Sequence, residues 1–278
     1  MAVKKRLMAD RRIGCLLSGG LDSSLIASLL VKEAKRANLP YKIQSFAIGM
    51  GDSPDLRAAR LVAKHVGTEH HEVIFTEDDV IKILDDVIYT LETPDITTIR
   101  ASIPMFLIAK YIKENTDTTV LFSGEGADEI AQGYIYFRDA PDPKAAHEDS
   151  LRLLREIYMF DGLRADRTTA AHRRESLTFP DDVKIAVEAI GRDKATQSSS
   201  MCFSSEVYVL FFRKSLKDLQ FTNYFLNIDP ELKQPKDGVE KYLLRSAFEG
   251  TDVLPHEILW RHKEAFRYVM SFSCYVDE

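Results

Sequence analysis

The feature that most narrows what this chain can fold into is Leu16-Leu17-Ser18-Gly19-Gly20-Leu21-Asp22-Ser23-Ser24. Ile13 to Leu17, just before it, is a short apolar run with the pattern of a buried strand. Leu25, Ile26, Leu29, Leu30 and Ala34, just after it, recur at helical spacing. Two glycines, two serines and an aspartate are therefore held at a strand-to-helix turn. Such a turn aims backbone N–H groups and the positive end of a helix dipole at one point. Glycine permits close approach of a ligand, and serine hydroxyls add donors. The turn is an anion site, and the expected anion is phosphate.

It is not one of the common phosphate loops. The Walker form requires G-x-x-x-x-G-K-[ST], and no lysine lies in or beside this turn. The dinucleotide G-x-G-x-x-G and the G-x-S-x-G nucleophile elbow are absent too. A carboxylate, Asp22, stands where a cation would be expected, which points to a magnesium ion bridging it to the phosphates. The plain alternative is a Gly-Ser turn with Asp22 near a helix cap.

The rest of the chain has the rhythm of an α/β protein. Ile43 to Met50 reads as a second strand, followed by a helix with Ser53 as cap and Pro54 at its first position, stopping near Gly67. Val73 to Phe75 closes a third strand. Thr76 and Asp79 form a capping-box pattern that opens a helix to about Leu91. Thr97 to Asn115 is helical in pattern, and Thr118 to Phe122 is a fourth strand. Strands alternating with helices imply a mostly parallel sheet, whose ligands bind beyond the carboxyl ends of the strands. At that same edge the fourth strand runs into Ser123-Gly124-Glu125-Gly126-Ala127-Asp128-Glu129. Alone it reads as a solvated acidic loop; beside a phosphate turn it reads as a nucleotide and metal site. Glu125 can serve as a general base or orient a substrate, and Asp128 can hold magnesium.

Composition excludes several classes. A net charge of −6 over 278 residues gives no basic face for nucleic acid. The longest purely apolar run, Val207 to Phe212, is too short to cross a bilayer, so no membrane association is expected. Cys15, Cys202 and Cys274 show no paired metal spacing and no disulfide framework, and Cys15 is expected to be a buried inert thiol. The basic start lacks the apolar core of a signal peptide. A cytosolic location is expected.

Taken together, Ser18-Gly19-Gly20-Leu21-Asp22-Ser23-Ser24, Ser123-Gly124-Glu125-Gly126-Ala127-Asp128-Glu129 and Gln132-Gly133-Tyr134 closely resemble the synthetase domain of asparagine synthetases. These are members of the PP-loop ATP-pyrophosphatases (adenine nucleotide alpha hydrolase-like). The resemblance covers Ala2 to about His172 and resumes from Phe221 to Phe266; Phe46 to Met50 and Tyr134 to Phe137 resemble the eukaryotic form. It implies a parallel sheet flanked by helices with a helical C-terminal part. The expected division is a nucleotide-binding core over residues 1–140 and a helical part over 141–278, irregular at 173–220 and truncated at the C-terminus.

The reaction implied is ATP-dependent adenylation of aspartate to β-aspartyl-AMP, then amidation by ammonia with release of AMP. The resemblance places Leu16 and Ile48 beside the adenine, and Ser18, Gly19, Gly20, Asp22 and Ser23 on the pyrophosphate and its Mg2+. It puts Ser123 and Gly124 on the nucleotide, Glu125 beside the intermediate and Asp128 as a second metal ligand. Thr97, Thr98 and Arg100 fall on the substrate side, with Arg100 as a catalytic candidate. Lys263 would stabilise charge on the phosphates, since phosphoryl chemistry leans on cations and oriented donors.

Three departures from the pattern shape further expectations. The chain starts at the linker that follows a glutaminase domain, so ammonia would be free or come from a partner glutaminase; a homo-oligomer is the other association considered. After His172 the family's run gives way to Arg173 to Pro180, with similarity returning near Phe221. That stretch reads as an insertion or, preferably, a misread gene boundary, because local and global signals disagree there. After Phe266 the pattern is lost again. A non-catalytic nucleotide-binding or interaction module is therefore the alternative to an active ligase, and a ligase acting on another carboxylate is a third reading. His70 and His71 are expected at the surface, Leu151 to Phe160 in the core, and Trp260 in packing.

Overall fold

A computed structural model describes residues 2–172, 207–209 and 219–263. The first apolar run forms β1 (Arg12–Leu16), in which Ile13 and Cys15 are completely shut off from solvent. A strand buried on both sides needs helices over both sheet faces, the situation of a parallel sheet. With β2 (Gln44–Gly49), β3 (Glu69–Ile74), β4 (Thr118–Ser123) and the short β5 (Val207–Val209), it makes a five-stranded sheet ordered β3-β2-β1-β4-β5. Every neighbouring pair is parallel.

That order fixes where a ligand can go. From β1 the chain winds outward through β2 to β3, then returns to the other side of β1 as β4. The connections leaving β1 and β4 therefore diverge, and a crevice opens between them at the carboxyl edge. These connections are the two loops singled out in the sequence.

Local signals set the helix boundaries. After the short α1 (Ala2–Lys5) comes α2 (Leu21–Arg36), which springs straight from the first loop. In α3 (Pro54–Val66) the Ser53 hydroxyl accepts from the Leu56 amide at 3.2 Å, and Gly67 ends the helix at φ +84°. α4 (Glu77–Leu91) carries the expected box: Thr76 Oγ1 accepts from the Asp79 amide at 3.3 Å, and the Asp79 carboxylate accepts from the Thr76 amide at 2.9 Å. α5 (Ile96–Asn115) is capped by Asp95, which accepts from the Thr98 amide, and contains Pro104 in its interior.

Two apolar layers sandwich the sheet. One joins Leu17, Leu30, Leu56 and Val62 to Val253, Leu254, Ile258 and Leu259 of the C-terminal part. On the other, Phe46 meets Ile108, Ile112 and Leu121, while α4 and α5 pack through Val87, Leu91, Ile103 and Phe106. Phe46 and Ala47 belong to opposite layers, as successive strand residues must. Burial pushes the Cys15 thiol up to about 12, so it is inert as expected.

Beyond β4 come α6 (Ala127–Ala131), α7 (Pro143–Glu156), α8 (Asp161–Ala170), α9 (Leu219–Leu226), α10 (Pro230–Lys233), α11 (Tyr242–Phe248) and α12 (His256–Leu259). Most of the 173–220 stretch lies outside the described residues. Within it, β5 adds a strand to the sheet where no strand period was legible. The stripe from Leu151 to Phe160 is only partly core. α7 ends at Glu156, and Tyr158, Met159 and Phe160 follow a tight turn to the surface. His70 and His71 are half-buried rather than free at the surface. As successive residues of β3 they face opposite ways: His70 Nδ1 meets Ser45 Oγ at 2.8 Å, and His71 stacks on Phe46. Trp260 packs against Tyr242, as expected.

The capping box gives a direct test. Thr76→Ala removes the acceptor for the Asp79 amide and should lower unfolding stability by about 1 kcal/mol. Urea denaturation should show a lower midpoint with an unchanged slope.

Candidate active site

The first loop is preorganised by its own serines. Ser18 Oγ and Ser23 Oγ lie 2.9 Å apart, the Ser18 amide donates to Ser23 Oγ, and the Gly20 amide donates to Ser18 Oγ at 3.4 Å. Gly19 sits at φ +75°, where a Cβ would come within 2.6 Å of Ala58 Cβ and the Ala59 amide nitrogen. Glycine is thus required there by conformation and by space. α2 begins at Leu21, and its N-cap residue Gly20 offers no side-chain cap, which leaves first-turn amides without a capping acceptor.

The second loop lies directly against the first. A Cβ on Gly124 would fall 2.8 Å from the Ser23 amide nitrogen and 3.2 Å from Asp22 Cβ. Only a residue without a side chain lets the two backbones come this close. The Glu125 amide donates to Ser123 Oγ at 3.2 Å, which turns the chain out of β4.

Between the loops a cavity of about 440 Å³ opens, a size that suits a small organic ligand. One end is apolar, walled by Leu16, Phe46, Ile48, Pro104, Met105 and Ile108. Ala101, Pro104, Met105 and Ile108 present one face of α5 to it at helical spacing. The other end is charged, with Asp22, Glu125, Asp128, Arg164, Lys241 and Lys263 among its walls.

The charged end is organised around two lysines. Lys241 Nζ lies 2.5 Å from Asp22 Oδ2 and 2.5 Å from Asp128 Oδ1, so it bridges the two loops. Lys263 pairs with the other oxygen of Asp128, and its ammonium lies 5.0 Å from the centre of the Tyr134 ring. Burial by itself would push Lys241 towards the neutral amine. The carboxylates of Asp22 and Asp128 outweigh it and hold the ammonium above the usual lysine range. For Asp128, burial raises the pKa, but Lys241 and Lys263 overcome it and bring the carboxyl down to about 2.

Lys241 is held in place with some force. Its backbone is left-handed at φ +55°, an uncommon conformation for a residue with a side chain. The preceding Glu240 is buried and paired with Arg138 at 2.9 Å and with Arg245 at 2.5 Å. Arg245 also donates to the Glu240 and Leu259 carbonyls. Arg261 pins the returning chain to the first loop, donating to the Gly19 carbonyl at 3.2 Å and to Asp55 at 2.7 Å. Lys263 follows two residues later and is delivered over the second loop.

Of the residues expected from sequence, Leu16, Ser18, Gly20, Asp22, Ser23, Ile48, Ser123, Gly124, Glu125, Asp128 and Lys263 all line this one cavity. Gly19 lies behind the loop against α3. Arg100 is not brought in: it is exposed, and the turn of α5 that faces the cavity begins at Ala101. Asp128, expected as a metal ligand, has both carboxylate oxygens facing ammonium groups. Arg164 lines the cavity with its guanidinium 3.5 Å from Glu125 Oε2, a contact sequence reasoning missed. Lys241, Arg245 and Arg261 were missed as well.

The sequence pattern described as asparagine synthase matches residues 1–175 and 192–276. The match leaves out residues 176–191 and continues past Phe266. Asparagine synthetase [glutamine-hydrolyzing] of Rattus norvegicus is 54% identical over 265 residues, 95% of this chain and 41% of the relative. The protein of the same name from Homo sapiens gives the same figures, and that of Gallus gallus is 53% identical over the same shares. The chain therefore spans well under half the length of these relatives. Among solved structures, an NH3-dependent NAD synthetase from Campylobacter jejuni overlaps 71% of this chain and 94% of its own, at 17% identity and a TM-score of 0.35.

The lowered pKa of Asp128 has a measurable signature. A carboxyl depressed in the folded state contributes stability above its ordinary value, and that contribution is lost as pH falls through the folded value. Asp128→Asn removes it. The stability gap between parent and variant should stay constant from pH 7 to about 5 and shrink as pH falls towards about 2. Urea unfolding across that range checks this; a gap independent of pH would contradict the assignment.

Proposed function

The chain belongs to the asparagine synthase family, and from that premise we propose that it adenylates the side-chain carboxylate of aspartate with ATP and transfers the acyl group to ammonia. The observation that carries this reading is the contact between the two loops, with Gly124 against the Ser23 amide and Lys241 bonded to both carboxylates. It gives a nucleotide an apolar recess and a cluster of amides and cations at one rim.

The adenine would lie in the recess between Leu16 and Ile48, with Phe46 at its edge. The β- and γ-phosphates would rest on the amides of Gly20 and Ser23 and on the hydroxyls of Ser18 and Ser23, at the positive end of α2. Asp22 Oδ1 is buried and has no hydrogen-bond partner, and a carboxylate oxygen is the ligand type that Mg2+ takes. Among the described residues there is no cluster of three or more His, Cys, Asp or Glu side chains placed to hold a metal. Mg2+ would therefore share Asp22 with the phosphates, as this ion commonly does. It would neutralise charge on the leaving pyrophosphate.

In the first step an aspartate β-carboxylate oxygen attacks the α-phosphorus and pyrophosphate leaves. The main catalytic term is charge stabilisation, and Lys263 would supply it by turning from Asp128 to the phosphates. In the second step the nitrogen of ammonia attacks the acyl carbon and AMP departs. Glu125 would orient the amine and accept its proton. Arg164 is a cation within reach of Glu125, and we assign it, rather than the exposed Arg100, to the α-carboxylate of aspartate. Ammonia, free or delivered by a glutaminase, is the nucleophile, and the cytosol is the compartment that suits these substrates.

The test is pyrophosphate release from ATP and Mg2+ in the presence of aspartate and ammonia. Release should depend on aspartate, and Lys263→Ala should slow it by about 10²-fold or more, the cost of losing one preorganised charge stabiliser. Glu125→Gln should retain ATP binding by calorimetry but lose asparagine formation. ATP binding with no pyrophosphate under any of these conditions would identify a nucleotide-binding module instead.

A further inference from the structure

Away from the cavity, Lys233 at the end of α10 is only 2% exposed. Lysine is seldom covered to that degree unless a carboxylate answers it, and among the described residues none pairs with this one. Its Nζ lies instead 3.1 Å from His147 Nδ1 on α7 and donates to the Leu226 carbonyl at 3.3 Å. Leu226 is the last residue of α9, so that carbonyl is one the helix leaves without a donor, at the negative end of its dipole. One side chain thus ties α7, α9 and α10 together.

The tie exists in a single protonation state of the histidine. An ammonium offers three donors and no acceptor, so His147 Nδ1 can meet it only as the bare nitrogen of a neutral ring that carries its proton on Nε2. A proton on Nδ1 would set two cations 3.1 Å apart, and like charges repel strongly where water is scarce. Burial holds His147 below the ordinary histidine range and the Lys233 ammonium pushes it further, against the pull of Glu148. Burial also lowers Lys233, against the pull of Asp229. The remaining charges nearby are engaged or in water. Glu148 pairs with Lys144 at 3.8 Å, and Tyr158, Tyr224 and Glu231 are exposed. On α6, Asp128 faces Lys241 and Lys263 and Glu129 accepts from Tyr134; on α11, Arg245 faces Glu240.

We infer that the His147–Lys233 contact is a proton-operated clasp, closed on α9 and α10 while the imidazole is neutral and opened when Nδ1 takes up a proton. From Lys233 the chain passes through a tight turn, in which Lys236 and Val239 exchange backbone hydrogen bonds, to Glu240 and Lys241 at the cavity. Opening the clasp therefore loosens the segment that enters the site. The folded chain holds fewer protons at His147 than the unfolded one, so the stabilisation is complete above about pH 6.5 and is lost as pH falls below that towards the folded value. The inference goes beyond the nucleotide reading and stands without it.

The test follows the histidine rings of the full, isotope-labelled chain by NMR, with His147 assigned through its backbone resonances. At neutral pH its nitrogens should report a proton on Nε2 and none on Nδ1. On titration it should take up a proton at lower pH than an ordinary histidine, and Lys233→Met should move its midpoint up. Hydrogen exchange gives a second readout. After correction for intrinsic rates, protection of residues 226–233 in the parent should fall below about pH 6.5 by up to about tenfold per unit, the slope of one proton. His147→Gln, whose amide oxygen accepts from Lys233 but does not titrate, should show no such fall. A midpoint at or above the ordinary value, a midpoint that Lys233→Met leaves unmoved, or the same pH dependence of protection in parent and His147→Gln overturns the inference. Should either variant not fold, the parent decides: a proton on Nδ1 at neutral pH is the contrary result.

Discussion

Everything at the carboxyl edge of the sheet depends on keeping two acidic loops in contact. Placing carboxylates side by side away from water is costly unless opposite charge is supplied in the same space. The protein supplies it from far along the chain. Lys241 and Lys263 come from a part of the polypeptide that returns more than a hundred residues after β4, and Arg261 fastens that return to the Gly19 carbonyl. The two loops and the C-terminal part are therefore one electrostatic unit. Apolar contact of Val253, Leu254, Ile258 and Leu259 with the layer that contains α2 and α3 carries the return physically.

The site was legible wherever a local rule applied. Gly19 and Gly20 at a strand-to-helix turn, Ser53 before Pro54, and Thr76 with Asp79 all act within a few residues, so spacing alone reveals them. β1, β2 and β4 followed from apolar runs between such signals, and of β3 only its end at Val73 and Ile74 did. Long-range pairing left no such trace. Lys241 stands in Gly238-Val239-Glu240-Lys241-Tyr242, where a charged residue ordinarily reads as solvated surface, and only the fold shows it buried. The family resemblance supplied Lys263 through its motif but did not call attention to Lys241.

Two disagreements have geometric causes. Arg100 lay in the right helix but at the wrong phase. Ala101, Pro104, Met105 and Ile108 define the face of α5 that meets the cavity, and a residue one step away is rotated by roughly a quarter turn or more. β5 was invisible because three residues are too few to display a period of two. The half-buried state of His70 and His71 has a different origin: β3 carries polar side chains on both faces, so no apolar alternation marks which positions are covered.

That polar strand has a consequence for the molecule in company. β3 is the outermost strand on its side of the sheet, and a bare strand edge is a template for another chain's backbone. Glu69, His70, His71 and Glu72 occupy four consecutive positions along it, with Glu69 held by Arg12 and Glu72 by Arg60. A second sheet approaching this border would have to strip water from a row of ionisable groups before forming one ladder bond. The same residues that hide the strand from pattern recognition thus discourage it from seeding fibrous or edge-to-edge aggregates.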